Sequence, residues 1–283
     1  MSTLSTCAAI LLALISLPGL LLNIYVFWKM TRRKTKSSGF HKLCIVKTIP
    51  NIIVCGAFLI WSTPLCFFNP NYNKVPRSVN IGFGQVAGWG AYILGPLLQV
   101  CMSFNRFYFL YFPMHSMKLS NYPITNIAIT ISLIIAVIYT IIGIPGGAVD
   151  QIIYRSITTV ITDGCGFVFD PEILSWRPEE FQCSQWLADF IFFSILSLAI
   201  ISNSLNFTTF LKLVFSQVDG VSTVDSVNRR RKRISMYIQS VTQDTLHMID
   251  MVNCTILFKL NTNIWYQFIF LSLSFLLVFT LDG

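Results

Sequence analysis

The chain has 283 residues, of which 54% are hydrophobic and 11% are charged, and its formal net charge at pH 7 is +8. So low a charged fraction excludes an ordinary soluble domain. The basic residues are concentrated in two connections between apolar stretches. This distribution indicates a role in membrane topology and argues against nucleic acid as a partner.

Seven apolar stretches follow one another along the chain, and each is long enough to cross a bilayer as a helix, which takes about 20 residues. Only helices and closed barrels satisfy their backbone groups in lipid, and stretches of this length exclude barrel strands. We therefore predict an all-α membrane protein, a single seven-transmembrane helix bundle over residues 1–283. The predicted spans are 4–28, 43–68, 83–108, 123–145, 186–211, 234–258 and 264–283.

The distribution of Lys and Arg predicts the orientation of the bundle. The odd-numbered connections carry 14 basic residues and the even-numbered connections carry 5. Because basic connections remain in the cytosol, we expect the N-terminus outside and the C-terminus inside. The fourth connection, 146–185, contains six acidic residues and two basic ones, which suits an outside position.

Polar residues in the first three spans, and near the start of the seventh, have two possible roles. Asn23 and Asn51, in the first two spans, are expected to form a hydrogen bond between helices. Aromatic and polar residues near the outer ends of the third and seventh spans are candidates for lining a ligand cavity. Packing, or the aromatic belt at the membrane interface, is the alternative for each of them. The candidates in these two spans are Gln85, Trp89, Tyr92, Gln99 and Tyr266.

The sixth span contains Asp244, His247 and Asp250, three residues apart, which places them along one face of a helix. Ionisable groups within a membrane are costly and face the bundle interior. They indicate either a hydrogen-bond cluster that fixes helix packing or a functional switch, and the sequence leaves both open. His247 and Asp250 are further candidates for ligand binding.

Two cysteines, Cys165 and Cys183, lie in the long fourth connection, which is predicted to face an oxidising compartment. We expect a bridge between them that stabilises the fold by about 3 kcal/mol. Cys66, at the outer end of the second span, is the alternative partner, because a sequence does not determine connectivity.

Motifs of soluble enzymes are not found in the sequence, so neither an enzyme nor a metal or cofactor site is expected. There is no phosphate-binding glycine loop, no zinc-type spacing of His and Cys, and no nucleophile elbow. A transporter remains an alternative to a receptor, although transporters usually show internal repeats and this chain has no convincing one.

Several local motifs resemble those of rhodopsin-like receptors. Ser103-Phe-Asn-Arg-Phe-Tyr108, at the inner end of the third span, is similar to their acidic-Arg-aromatic element. Gly19-Leu-Leu-Leu-Asn23 is similar to the signature of their first span. More specifically, the chain resembles the nematode chemosensory receptors called serpentine receptor class X, over nearly its whole length. The segments that carry this resemblance are Trp61-Ser-Thr-Pro64, Cys165-Gly-Phe-Val-Phe-Asp170, Arg230-Arg-Lys-Arg233 and Ile238-Gln-Ser-Val-Thr-Gln-Asp244.

The resemblance implies a plasma-membrane receptor, in sensory-neuron cilia, that couples an outside small molecule to an inside heterotrimeric G protein. Asn105 stands where the family has an acidic residue, so Arg106 lacks the usual acidic neighbour. The residues to which the resemblance assigns G-protein coupling are Asn105, Arg106, Phe107, Arg229, Arg230, Arg231, Lys232 and Arg233.

The end of the chain suggests a further alternative. The sequence closes with Leu281-Asp-Gly283, whereas in the class X family a similar Asp-Gly lies within the seventh helix and more residues follow. A truncated, non-signalling receptor is therefore a second alternative, besides the transporter.

Overall fold

The structure, a computed structural model, describes residues 3–32, 39–68, 74–112, 124–142, 166–179, 182–215 and 224–282. Within these ranges the side chains of residues 182, 213–214, 224–236 and 239–240 are not described. The chain is mostly helical, and each predicted span overlaps one long helix. The helices are α1 (Thr3–Thr31), α2 (Gly39–Phe68), α3 (Arg77–Tyr111), α4 (Ile124–Ile142), α5 (Gln182–Phe215), α6 (Val224–Thr255) and α7 (Ile264–Leu281).

Among the residues described, six of these helices are long and apolar enough to cross a membrane. The exception is α6, which at 32 residues is long enough but carries the basic run at its start and three ionisable side chains further on. Charged and polar groups lower its mean hydropathy because they prefer water to hydrocarbon. The sixth predicted span is thus a helix at the expected place, and the number of seven membrane spans stays a prediction.

A short antiparallel hairpin covers one end of the helix bundle, which we call the hairpin end. Its strands are β1 (Phe167–Asp170) and β2 (Ser175–Pro178), with Phe169 opposite Trp176. The connecting turn holds Leu174 at a φ of 56°, a left-handed conformation that is strained for a bulky side chain. This conformation is held because Leu174 is buried and its carbonyl oxygen accepts a hydrogen bond from Ser272 Oγ of α7 at 2.8 Å.

The hairpin is attached to the start of α3 by polar contacts. The side-chain amide of Asn80 donates to the carbonyl oxygen of Phe169 at 2.9 Å and accepts from the backbone N–H of the same residue at 3.0 Å. Arg77 forms a two-pronged ion pair with Glu179, at 2.8 and 3.0 Å. The hairpin comes so close to α3 that a Cβ atom at Gly84 would collide with the carbonyl oxygen of Phe167.

The opposite end of the bundle, which we call the Arg106 end, is where α3 finishes at Tyr111. Between the two ends, Asn51 Nδ2 of α2 donates to Asn23 Oδ1 of α1 at 3.1 Å, which confirms the predicted hydrogen bond between these helices. By contrast, most of the long apolar side chains of α4 are exposed. In a membrane protein this surface faces lipid.

Candidate functional site

A cavity of about 240 Å³ lies beneath the hairpin, between α3, α5, α6 and α7. Its wall is mainly apolar and contains seven aromatic residues, as expected for a small-molecule site. Two stretches that contribute to it, 85–91 of α3 and 268–273 of α7, are π-helical, a local widening that is frequent at functional sites. The aromatic residues that line the cavity are Trp89, Tyr92, Phe167, Trp176, Phe192, Phe258 and Phe275.

The hairpin forms the roof of the cavity through stacked rings. The ring of Phe167 lies parallel to that of Trp176, with centroids 6.0 Å apart. It lies perpendicular to the ring of Trp89, with centroids 5.6 Å apart. Gly88 allows this arrangement, because a Cβ atom there would collide with the Phe167 ring. The hairpin therefore closes one side of the cavity.

The carboxylate of Asp250 on α6 lies at the inner side of the cavity and is fully buried. Tyr92 of α3 donates its hydroxyl hydrogen to Asp250 Oδ2 at 2.9 Å. Ser274 Oγ of α7 donates to Oδ1 at 2.7 Å, and the thiol of Cys254 approaches the same oxygen at 3.8 Å. One carboxylate thus joins three helices at the level of the cavity.

A second buried polar group lies about 10 Å deeper, since seven residues of helix separate Tyr92 from Gln99. Lys47 Nζ of α2 donates to Gln99 Oε1 at 2.6 Å and forms an ion pair with Asp282 Oδ1 at 3.1 Å. His247 Nε2 of α6 lies 3.8 Å from Asp282 Oδ2. This group connects α2, α3 and α6 with the residue that follows α7.

The third ionisable residue of α6, Asp244, is bonded to α5. Its Oδ2 accepts hydrogen bonds from Ser202 Oγ at 2.8 Å and Asn206 Nδ2 at 2.9 Å. Ser202 also contacts Ser103 of α3, with 2.9 Å between the two hydroxyl oxygens. The polar face of α6 is therefore bonded to α3, α5 and α7 at successive depths.

Arg106 lies a further seven residues along α3, on the same face as Tyr92 and Gln99. Its guanidinium carbon is 5.0 Å from the centroid of the Phe40 ring of α2, a cation–π contact. Its Nε and Nη1 atoms are buried and have no hydrogen-bond partner among the described residues. The sequence predicted no partner for Arg106, and in the structure that partner is the ring of Phe40.

The predicted ligand candidates separate into three groups. Trp89, Tyr92 and Asp250 line the cavity, whereas Gln99 and His247 belong to the deeper polar group. Two further candidates do not line the cavity: Gln85 is buried within α3, and Tyr266 is half-buried on α7. Their roles in ligand binding stay predictions.

The candidates for G-protein coupling lie at the Arg106 end. Asn105 and Phe107 are half-buried beside Arg106, and the Phe107 ring stacks on Tyr111 with centroids 4.5 Å apart. The backbone of Arg229–Arg233 is helical in α6, but the side chains of this run lie outside the description.

The predicted disulfide is only partly within the described residues. Cys183 lies near the start of α5, while Cys165 falls outside the described ranges, so the Cys165–Cys183 bridge stays a prediction. The alternative partner, Cys66, is a free and fully buried thiol.

Sequence reasoning missed Lys47 and the role of Asp282. A lysine one turn inside the second apolar stretch was a usable signal, because an ionisable side chain there requires a partner. Its partner is 235 residues away in the chain, and no local pattern predicts such a pair. In the part of the chain that the structure describes, no three His, Cys, Asp or Glu side chains are grouped to hold a metal ion.

Comparison with known proteins assigns the chain to a family. No curated protein matches it. Residues 13–283 match the family described as serpentine type 7TM GPCR chemoreceptor Srx, which is the family that the motifs resembled. With nearly the whole sequence matched, this chain belongs to the Srx family of seven-transmembrane chemoreceptors.

Proposed function

We propose that the protein is a G-protein-coupled chemosensory receptor that detects a small environmental molecule in the cavity beneath the hairpin. The hairpin end would face outside and the Arg106 end the cytosol, as the distribution of basic residues predicts. Family membership favours this function over a transporter. Plasma-membrane and ciliary location, and coupling to a heterotrimeric G protein, are parts of the proposal.

The observation that carries the proposal is the series of buried polar contacts between the cavity and Arg106. Asp250, His247 and Asp244 follow one another along α6, and each contacts a group outside that helix. A shift of α6 would break these contacts together. A ligand that binds one arrangement of α6 better than another would therefore change the populations of the two arrangements.

Arg106 is the residue through which such a shift would reach the G protein. Its guanidinium has unused donors in the described structure and is held by the face of an aromatic ring. A cation–π contact is worth about 0.5–2 kcal/mol, so a modest rearrangement would release it. The basic run Arg229–Arg233 would border the same coupling surface and attract anionic lipid headgroups.

The test is nucleotide exchange on purified G proteins of the different classes, with membranes that contain the receptor. We expect exchange above that of receptor-free membranes, and we expect Arg106→Ala to abolish the excess while surface expression is retained. Lys212→Ala is the matched control, because Lys212 also lies over an aromatic ring at this end, 4.0 Å from the centroid of Tyr111. Equal exchange by wild type and Arg106→Ala would remove Arg106 from the mechanism, and no receptor-dependent exchange with any class would contradict coupling.

Orientation has a separate test. Tags at the two termini are labelled with antibodies on intact and permeabilised cells. We expect the N-terminal tag to be labelled on intact cells and the C-terminal tag only after permeabilisation. Labelling of both tags on intact cells would mean that an even number of helices crosses the membrane, with α6 the first candidate for exclusion.

A further inference from the structure

The groups around Asp250 are suited to an ionised carboxyl group. The side chain of Asn253 donates to Ser274 Oγ at 2.8 Å, so the hydroxyl hydrogen of Ser274 is directed at Asp250. Tyr92 directs a second hydroxyl hydrogen at the other carboxylate oxygen. An ionised carboxylate only accepts hydrogen bonds, whereas a protonated one must also donate. The two hydroxyl groups and the thiol beside Asp250 can all donate to it, which suits a carboxylate anion.

This anion has no cationic partner in the described part of the chain. No Lys, Arg or His lies within ion-pair distance of Asp250, although its side chain is fully buried. The nearby basic side chain of His247 is directed at Asp282 instead. A buried charge is costly unless it is paired. A cation brought by a ligand would supply the missing pair.

The other charged residues of the cavity lie nearer to solvent. Arg177 is already paired with Asp170 of the hairpin, at 2.8 Å between Nη2 and Oδ2. Lys259 and Asp189 are both exposed. The buried charged residue that lines the cavity is therefore acidic, while the exposed residues at the rim of the cavity include both acidic and basic side chains.

Aromatic rings surround the space in front of Asp250. Tyr92 and Phe275 meet edge to face, with centroids 5.1 Å apart, and both line the cavity. Aromatic faces attract organic cations as well as providing apolar contact. At about 240 Å³ the cavity is smaller than a typical drug-sized pocket of about 300–1,000 Å³. It therefore fits a compact ligand with one ring or a short chain.

We propose that the cavity binds a small aromatic or aliphatic primary amine, whose ammonium group replaces the Tyr92 hydroxyl on Asp250. This inference deepens the proposed receptor function and rests on it for its biological meaning. Replacement of that hydroxyl removes the direct hydrogen bond between α3 and α6 at the level of the cavity. Amine binding would then loosen α6 from α3, which is the shift that activation requires.

The test uses three probes of similar size with the purified full-length receptor in nanodiscs: phenethylamine, phenylethanol and phenylacetate. Thermal unfolding is followed by intrinsic tryptophan fluorescence. At a tenfold excess over its Kd, a ligand raises the midpoint by about 3–6 °C. We expect this rise with phenethylamine at millimolar concentration, and no rise with the alcohol or the acid.

Two variants give changes of opposite sign. Asp250→Asn should weaken phenethylamine binding about 10- to 100-fold, because a charged hydrogen bond is lost. Tyr92→Phe should tighten binding about tenfold, since the competing hydroxyl is gone. Glu172→Gln is the matched control: it removes an exposed carboxylate of the hairpin turn that does not line the cavity, and it should leave binding unchanged.

The proposal is overturned if the acid or the alcohol stabilises the wild type as well as the amine does, or if no probe stabilises it. Undiminished binding by Asp250→Asn, or weaker binding by Tyr92→Phe, also overturns it. Should Asp250→Asn not fold, the probe comparison and Tyr92→Phe still decide. Because binding is measured without a G protein, a receptor that binds the amine but drives no exchange would contradict the proposed function and not this inference.

Discussion

The buried ion pair between Lys47 and Asp282 gives the sharpest test of the structure. Both side chains are at least 95% buried, and their charged atoms are 3.1 Å apart. At an effective dielectric constant of about 20, this distance corresponds to an attraction of about 5 kcal/mol. Replacing Lys47 by Met keeps the length of the side chain but leaves the buried Asp282 carboxylate with only the His247 ring beside it, at 3.8 Å. Breaking a buried pair in this way costs about 3–5 kcal/mol.

We therefore expect Lys47→Met to lower the unfolding midpoint by roughly 6–20 °C, at about 2–4 °C per kcal/mol. The double variant Lys47→Met/Asp282→Val should recover most of this loss, because an apolar replacement of both charges is often neutral. The assay is thermal unfolding with a thiol-reactive dye, which detects exposure of the buried free thiols Cys55 and Cys66.

The matched control is Lys42→Met on the same helix. Lys42 donates an exposed hydrogen bond to Asn126 at 3.0 Å, so its loss should cost less than about 1 kcal/mol. The reasoning is refuted if Lys47→Met and Lys42→Met unfold at the same temperature. It is also refuted if the double variant is as unstable as the sum of its single variants, because additivity means that the two groups do not interact.

Two further predictions concern the hairpin and the contact between the first two helices. Gly84→Ala should raise hydrogen exchange of the hairpin amides, measured by mass spectrometry, because its Cβ atom collides with the Phe167 carbonyl oxygen. The control is Gly82→Ala, whose Cβ atom would have no neighbouring atom within 4 Å. It should leave exchange unchanged and stabilise the helix by up to about 1 kcal/mol. Equal protection in the two variants would mean that the hairpin does not lie against α3. Asn51→Leu should lower the unfolding midpoint by about 1–2 °C, since an average hydrogen bond between membrane helices is worth about 0.6 kcal/mol. Asn126→Ala, at an exposed position, should not lower it. A midpoint as high as that of the wild type would show that this bond contributes nothing.

The positions of the helices could be predicted from the sequence because they depend on local composition. A helix in lipid satisfies its own backbone groups, so a long apolar stretch is sufficient evidence for it. The hydrogen bond between Asn23 and Asn51 was predictable for a related reason: a polar side chain in a span needs a partner on a neighbouring span. The three ionisable residues of α6 were recognised as one face by their spacing alone.

The partners of those residues could not be predicted, because they depend on how the helices are arranged. The sequence does not say that Asp244 meets Ser202, that Asp250 meets Tyr92, or that Lys47 reaches Asp282. The docking of the hairpin was also beyond sequence reasoning. Its strands have four residues each, and its position depends on Asn80 and Gly84 of α3, which carry no local hairpin signal.

The hydrogen bonds on the polar face of α6 would hold this helix in one arrangement and would be broken when the helix moves in the proposed mechanism. Gln243, Asp244 and Asp250 take part in five hydrogen bonds with the rest of the bundle. At about 0.6 kcal/mol for an average hydrogen bond within a membrane, these sum to about 3 kcal/mol. Moving a two-state equilibrium from one side to the other takes about 5.5 kcal/mol of differential ligand affinity. The contacts of α6 would therefore favour one arrangement by about 3 kcal/mol, and a ligand would reverse the populations only by binding the other arrangement more tightly by a larger amount. An apolar α6 would span the membrane more readily, but it would lack the directional contacts that the proposed ligand at Asp250 would break.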